Sequence, residues 1–268
     1  MEQVSILIPN FKTPLLTKLC LRSLRKYTDF SRVKVYAIDN GSGEGEESLE
    51  YLRSLKWITL IEDQPDLTLN PGAIHGLSLD KIAALADTEY ILSIHTDTIV
   101  IRNDWLDYLL KEIADPSVAG VGSWKLEFHS PLKRFGKRIE DLFRAKILHP
   151  ITGCRVAIAG TESNRKYLRS HCALYRRELV INETKGFHDG MEAGRSIHNT
   201  LTEKGYTMKF LPETELGKYL LHFDHATMIL NPEIGGRKTS RSKARRKMSG
   251  LLGKKCWEEI LEDQSLDL

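Results

Sequence analysis

The sequence predicts an α/β fold: a mainly parallel sheet covered by helices on both faces. Three observations predict it. Short apolar runs of strand length alternate with stretches of helical pattern from the N-terminus to about residue 121. The first run, Val4-Ser5-Ile6-Leu7-Ile8-Pro9, is stopped by proline and reads as a buried strand. Polar clusters close the second and fourth runs, where a sheet of this kind leaves its ligand crevice.

Thr13 and Pro14 follow the first strand as N-cap and first helical residue, with Leu16, Leu19, Cys20, Ser23 and Leu24 on the inner face. Val33 to Ile38 is a second strand, closed by Asp39-Asn40-Gly41-Ser42. Glu46 to Leu55 reads as helix, Trp57 to Ile61 as strand, Ala73 to Ala86 as helix and Tyr90 to Ile94 as strand, ending at His95-Thr96-Asp97. Asn103-Asp104 caps a helix to Ala114, and Val118 to Val121 is a further strand. From Trp124 to Arg165 the pattern weakens and turns basic, as in an insertion over a site, with a helix near Phe135 to Leu148. Leu168 to Tyr175 reads as strand and Arg176 to Val180 as helix. Gly190 to Lys204 reads as a helix stopped by Gly205, and Thr207 to Leu211 as a strand ended by Pro212.

The chain has 268 residues, 41% hydrophobic and 28% charged, the balance of an ordered globular protein rather than a disordered one. No stretch approaches the roughly 20 apolar residues of a membrane span. The N-terminus lacks a signal-peptide pattern. The expected location is cytoplasmic, with peripheral contact at the inner membrane face as an option. Cys20, Cys154, Cys172 and Cys256 lie far apart, without zinc-site spacing, and read as reduced thiols. Net charge is +3, but Arg237 to Lys255 holds nine basic residues and no acid. That stretch reads either as a solvated face or as a contact for a polyanion or membrane surface.

Asp39 either closes a turn or accepts hydrogen bonds from a nucleotide base or ribose at the sheet edge. Asn70-Pro71-Gly72 opens a helix whose N-terminus favours phosphate. Asp97, at a strand end, is either a turn residue or an oxygen donor to a hard divalent cation. In His222-Phe223-Asp224-His225, strand alternation sends the two histidines to opposite faces, so one of them reaches a given metal. His188, Asp189 and Glu192 either complement a helix N-terminus or supply a general base.

In order, Val4-Ser5-Ile6-Leu7-Ile8-Pro9-Asn10, Ala37-Ile38-Asp39-Asn40-Gly41-Ser42, Asn70-Pro71-Gly72 and Ile91-Leu92-Ser93-Ile94-His95-Thr96-Asp97-Thr98 resemble the N-terminal half of a family-2-type glycosyltransferase with the GT-A fold. His171-Cys172-Ala173-Leu174-Tyr175-Arg176-Arg177 resembles its acceptor-lining segment. Gly186-Phe187-His188-Asp189, with Gly205-Tyr206, resembles the region of its catalytic base. The likeness spans roughly residues 3 to 230 as ordered motifs.

The resemblance implies a catalytic domain over residues 1–230, with a nucleotide-binding half to about 122 and an acceptor half over 123–230. A basic tail, 231–268, follows. It implies transfer of a sugar from a nucleotide diphosphate sugar, a UDP-sugar foremost, to a hydroxyl of a glycan, lipid-linked or other acceptor, with inversion and Mn²⁺ or Mg²⁺. The donor side would comprise Pro9, Asn10, Asp39, Asn40, Asn70, Gly72, His95, Thr96 and Asp97. The metal would lie on Asp97 with His95 and with His222 or His225. The family's Asp-x-Asp is His-x-Asp here. Its Glu-Asp pair at the base position reads Met191-Glu192-Ala193-Gly194, so a one-residue shift makes Glu192 the base, with Asp189 second.

Other readings predict other features. A nucleotidyltransferase needs a glycine- and lysine/arginine-rich loop after the first strand, and Asn10-Phe11-Lys12-Thr13-Pro14 lacks the glycines. A nucleic-acid-binding protein needs stacking aromatics near the basic stretch, where only Trp257 stands close. A transferase acting on a modified nucleic-acid base would combine the two ideas.

Overall fold

The computed structural model describes residues 3–66, 68–124, 126, 166–190, 192–223, 226–231 and 255–268. The chain runs β1 (Val4–Asn10), α1 (Pro14–Tyr27), β2 (Val33–Asn40), α2 (Glu47–Ser54), β3 (Ile58–Asp63), α3 (Pro71–Leu85), β4 (Tyr90–Ile94), β5 (Thr98–Val100), α4 (Trp105–Glu112) and β6 (Val118–Gly122). Then come β7 (Cys172–Arg176), α5 (Arg177–Glu183), α6 (Arg195–Glu203), β8 (Thr207–Phe210), α7 (Glu213–Leu216), β9 (Leu220–His222), α8 (Ala226–Leu230), α9 (Lys255–Glu262) and a 3-10 turn, Gln264–Asp267.

Strand alternation builds two cores, one on each face of the sheet. Val4, Ile6 and Ile8 of β1 join the first, and Leu7 the second. In β2, Val33, Val35 and Ala37 face one way, and Tyr36 and Ile38 the other. Helix α1 covers the first face with Leu16, Leu19, Cys20 and Leu24, all fully buried. Each such leucine contributes about 1.5–3 kcal/mol of transfer free energy. Leu79, Ile82 and Ala83 of α3 cover the second face.

The strand order is β3-β2-β1-β4-β7-β6-β8. β7 runs antiparallel to β4 and β6, and the other pairs are parallel. The sheet grows outward from β1 to β3 on one side; α3 then crosses the other face to place β4 at β1's free edge. The order reverses between β1 and β4, so a crevice opens beyond their C-terminal ends. A second, two-stranded sheet pairs β5 with β9, Thr98 opposite His222.

Several boundaries differ from the sequence pattern. Thr13 stands at the N-cap of α1, but its hydroxyl lies 3.0 Å from Thr17 Oγ1 and 3.2 Å from Thr96 Oγ1 instead of capping the helix. Asp104 likewise makes no cap; its carboxylate binds Arg102. The helix read from Gly190 starts at Arg195, because Gly190 and Gly194 both have positive φ. The strand read from Leu168 starts at Cys172. The helix near residues 135–148 lies outside the described residues, as does Cys154.

At the C-terminus, α9 and the turn after it pack onto α1 and α2. Trp257 and Ile260 are buried in the first core. Asp267 takes an ion pair from the buried Arg22 and a hydrogen bond from Tyr51, 2.7 Å away. Arg22 also donates to the carbonyl of Leu261. Residues 255–268 of the basic-tail segment are therefore docked, while Arg237, Lys238, Arg241, Lys243, Arg245, Arg246, Lys247 and Lys254 lie outside the described residues.

Candidate active site

The apolar run of β4 ends in a tight turn, closed by the Thr98 N–H on the His95 carbonyl at 3.0 Å. The turn presents His95, Thr96 and Asp97 beyond the sheet edge. The β5–β9 pair then returns the chain to Asp97. The Phe223 N–H donates to the Asp97 carbonyl at 2.8 Å, and the Ala226 N–H to Asp97 Oδ2 at 3.3 Å. His222 Nε2 comes within 3.2 Å of Asp97 Oδ1, and His95 Nδ1 within 3.7 Å. The Asp97 and His222 side chains are 6% and 9% exposed, that of His95 31%, so the centre is closed on the protein side and open past His95.

Two more histidines stand around this centre. His75, from the second turn of α3, lies with Nε2 3.1 Å from His95 Nε2. Ser170 Oγ is 2.9 Å from His95 Nε2 and 3.0 Å from His75 Nε2. The His171 ring stacks on that of His222 at 4.7 Å, and its Nε2 lies 2.9 Å from Ser123 Oγ. Burial pushes His75 down to about 4. Burial, reinforced by neighbouring imidazoles, holds His95 and His171 well below the usual histidine value. Burial works against ionisation of Asp97, but the charges of His222 and His95 hold its pKa below the usual carboxylate value.

His95, Asp97 and His222 can each direct one ligand atom to a common point, all within 4.8 Å of one another. A divalent ion fits them by two observations. Asp97 Oδ1 is buried and faces the ring nitrogens of His222 and His95. The donors, one carboxylate oxygen and two imidazoles, are ordinary metal ligands. His225 lies outside the described residues.

Of the residues expected on the donor side, Pro9, Asn10, Asp39 and Asn40 stand at the ends of β1 and β2. Asp39 Oδ1 accepts from Asn10 Nδ2 at 2.7 Å and from Ser42 Oγ at 2.6 Å; Oδ2 accepts the Ser42 N–H at 2.8 Å. That uses three of a carboxylate's four or so acceptor positions and leaves one on Oδ2. Asn10 is held by Ser48 and Thr17 as well. Asn40 Oδ1 accepts from Ser78 of α3. Pro9 and Thr96 are buried. Asn70 caps α3 through Ala73 N–H at 2.9 Å and reaches the Gly190 carbonyl at 3.0 Å, and Gly72 lies in the first turn.

The 186–194 loop rests on α3. Asp80 accepts the N–H groups of Phe187 and His188. Gly76 leaves room for His188, whose Cα is 3.0 Å from where a Cβ would sit. Asp189 receives the Glu192 N–H at 2.7 Å and Arg195 Nε at 2.9 Å. Glu192 Oε2 accepts the Tyr167 hydroxyl at 2.7 Å. Tyr167 packs edge-on against Trp124, and the Arg169 guanidinium lies over both rings.

Sequence reasoning did not single out His75, Ser170, Arg169 or Tyr167 as site residues. His171 appeared only inside a resembling segment. One signal for His75 was in view: it follows Asn70-Pro71-Gly72 by three residues, on the helix those residues open.

No protein-family model matches the chain, and no curated protein matches it in sequence. Solved structures do match. The mannosyltransferase PcManGT from Pyrobaculum calidifontis, in complex with GDP-Man and Mn²⁺, is 13% identical with a TM-score of 0.54, over 99% of this chain and 84% of its own. TarS 1–349 of S. aureus is 12% identical with a TM-score of 0.49, over 97% and 69%. Glucosyl-3-phosphoglycerate synthase from Mycobacterium tuberculosis, in complex with Mn²⁺, UDP and glucosyl-3-phosphoglycerate, is 15% identical with a TM-score of 0.47, over 94% and 79%. The fold likeness rests on the first of these: the chain has the GT-A fold. Among the described residues, no helix is long and apolar enough to cross a membrane.

Proposed function

We propose that the chain is a glycosyltransferase of the hexosyltransferase class. It moves a sugar from a nucleotide diphosphate sugar, a UDP-sugar foremost, to an acceptor hydroxyl in glycan or cell-surface polysaccharide synthesis. The observation that carries this reading is the convergence of His95, Asp97 and His222 on one point, at the switch of strand order in a GT-A sheet. PcManGT, which shares the fold, is described with GDP-Man and Mn²⁺.

In this reading the remaining acceptor position of Asp39 takes a donor group of the base or ribose, with Asn10 and Ser42 holding the carboxylate still. His95, Asp97 and His222 hold the divalent ion. A bound ion of this kind neutralises charge on the departing nucleoside diphosphate. Glu192 takes the acceptor's proton on Oε1, while Tyr167 fixes Oε2. Asp189 is less suited, because Arg195 and the Glu192 N–H occupy both its oxygens. Attack on C1 opposite the leaving group inverts the anomeric centre, through an oxocarbenium-like transition state.

The test is release of nucleoside diphosphate from UDP-glucose, UDP-galactose and GDP-mannose, with Mn²⁺ and simple sugar acceptors. The expected result is release from one donor, with product of inverted anomeric configuration by NMR and loss of at least about a hundredfold in Asp97→Ala. Absence of release from every donor, or equal release from the variant, contradicts the proposal.

A further inference from the structure

We propose that Lys12, clamped in a left-handed backbone conformation by Asn231, is a positioning residue that acts through Ser42 to hold the Asp39 carboxylate in place for a nucleotide. This rests on the donor reading of Asp39 and adds what fixes that carboxylate.

Among the described residues, Lys12 is the one residue other than glycine with positive φ, at +45. Such a conformation is costly for a residue with a Cβ and persists where its surroundings over-determine it. Side chains from two distant parts of the chain do so here. The Lys12 N–H donates to Ser42 Oγ at 3.1 Å, and the Lys12 carbonyl accepts from Asn231 Nδ2 at 3.0 Å. The next hydroxyl, that of Thr13, lies 3.2 Å from Thr96 Oγ1 in the turn that carries His95 and Asp97. The loop between β1 and α1 is thus held from the Asp39 turn, from the turn after β4 and from the end of α8.

The direction of each hydrogen bond is set by its partners. Ser42 Oγ accepts from Lys12 and gives its own proton to Asp39 Oδ1, 2.6 Å away, while the Ser42 N–H binds Oδ2 at 2.8 Å. Asn231 is 5% exposed, and its Nδ2 donates to two carbonyls, those of Lys12 and, at 3.1 Å, Thr227. Carbonyl partners on that side fix which way the amide points, because only its nitrogen can donate. A directed chain of bonds therefore runs from Asn231 through Lys12 and Ser42 to Asp39. The helix that delivers Asn231 is itself anchored at its other end, where the Ala226 N–H binds Asp97.

The test is titration of the purified full chain with UDP and with GDP, on wild type, Asn231→Ala, Asn231→Asp, Lys12→Gly and the double variant Lys12→Gly/Asn231→Ala. Amide hydrogen exchange is measured on the same proteins, with circular dichroism as the control for folding. Asn231→Ala should speed exchange of the Lys12 N–H and weaken the nucleotide that the wild type binds by about three- to tenfold. Asn231→Asp keeps the shape but turns oxygens toward both carbonyls, so it should weaken binding at least as much. Glycine enters the positive-φ region without help, so in the Lys12→Gly background the added Asn231→Ala should cost about twofold or less. That rescue is what a merely structural asparagine would not show. Unchanged exchange at Lys12, nucleotide affinity in Asn231→Ala or Asn231→Asp equal to that of the wild type, or an equal loss in both backgrounds overturns the inference. If the wild type binds neither nucleotide, the donor reading of Asp39 fails and takes the positioning role with it, while the exchange data separately decide whether the clamp exists.

Discussion

Asp97 has two oxygens with different surroundings: Oδ2 is tied to the Ala226 N–H, and Oδ1 is buried beside His222 and His95. Burial opposes the charge, but His222 and His95 hold the pKa below the usual carboxylate value, so the ionised form is favoured in the folded state and contributes stability at neutral pH. Asp97→Asn should therefore cost a modest amount of stability, about 1 kcal/mol, while sharply weakening metal binding. Denaturant melts and a Mn²⁺ titration check both halves; a loss of several kcal/mol would make Asp97 a structural residue. For the base, Glu192→Gln should lower kcat by about 10²–10⁴-fold with donor binding intact. Asp189→Asn should act mainly on stability, since it removes the clip on Arg195 and on the Glu192 N–H; steady-state kinetics and melting curves separate the two. Asp39, Asp97 and Glu192 could be singled out in the sequence because each is a carboxylate at a strand end or helix start. His75 and Ser170 could not. They reach His95 through tertiary pairing: β7 sets Cys172 opposite Ile94, which brings Ser170 and His171 beside His95.

At the level of elements, the 186–194 loop and the C-terminal clasp carry the clearest expectations. Gly186 has φ +89, and a Cβ there would run into the Asp80 carboxylate that holds the loop. Gly186→Ala should cost on the order of 1–3 kcal/mol from backbone strain and displacement of Asp80, and should loosen the loop that carries Glu192. Hydrogen exchange at Phe187 and His188 would show it. The clasp joins Arg22, Tyr51 and Asp267. Burial opposes ionisation of Asp267, but the Arg22 and Tyr51 hydrogen bonds outweigh it and lower its pKa from 3.8. A carboxyl depressed in the folded state adds stability above its unfolded pKa and loses it as pH falls through the folded value. Exchange protection of residues 255–262 should therefore hold above about pH 4 and fall below it, while Asp267→Asn should remove the transition. Protection that is flat with pH in the wild type would contradict this role. The helix periods were readable from apolar spacing, but their edges were not. In α6 two glycines offered two starts, and the left-handed backbone at Gly194 chose the later one.

For the whole molecule, alternation of strand and helix was enough to read a parallel α/β sheet, because βαβ crossovers leave that periodicity in the chain. The direction of β7 was not readable: its residues alternate between the two cores as any buried strand does, and apolar period carries no sign. The return of β9 to β5, which delivers His222 to Asp97 from 125 residues along the chain, is likewise a product of topology rather than of local pattern. Together these set Asn10 and Asp39 at the ends of β1 and β2 and His95 and Asp97 after β4, with Phe187 and His188 held on α3; the proposed function gives these regions the donor, the metal and the base. The most direct measurement of that claim is calorimetric titration with UDP, GDP, dTDP and CDP, each with and without Mn²⁺, on wild type and Asp97→Ala. The account predicts that one nucleotide binds, that Mn²⁺ tightens it, and that the variant loses the metal-dependent part. Binding of no nucleotide under any condition, or binding unaffected by Mn²⁺ and by the loss of Asp97, would contradict it.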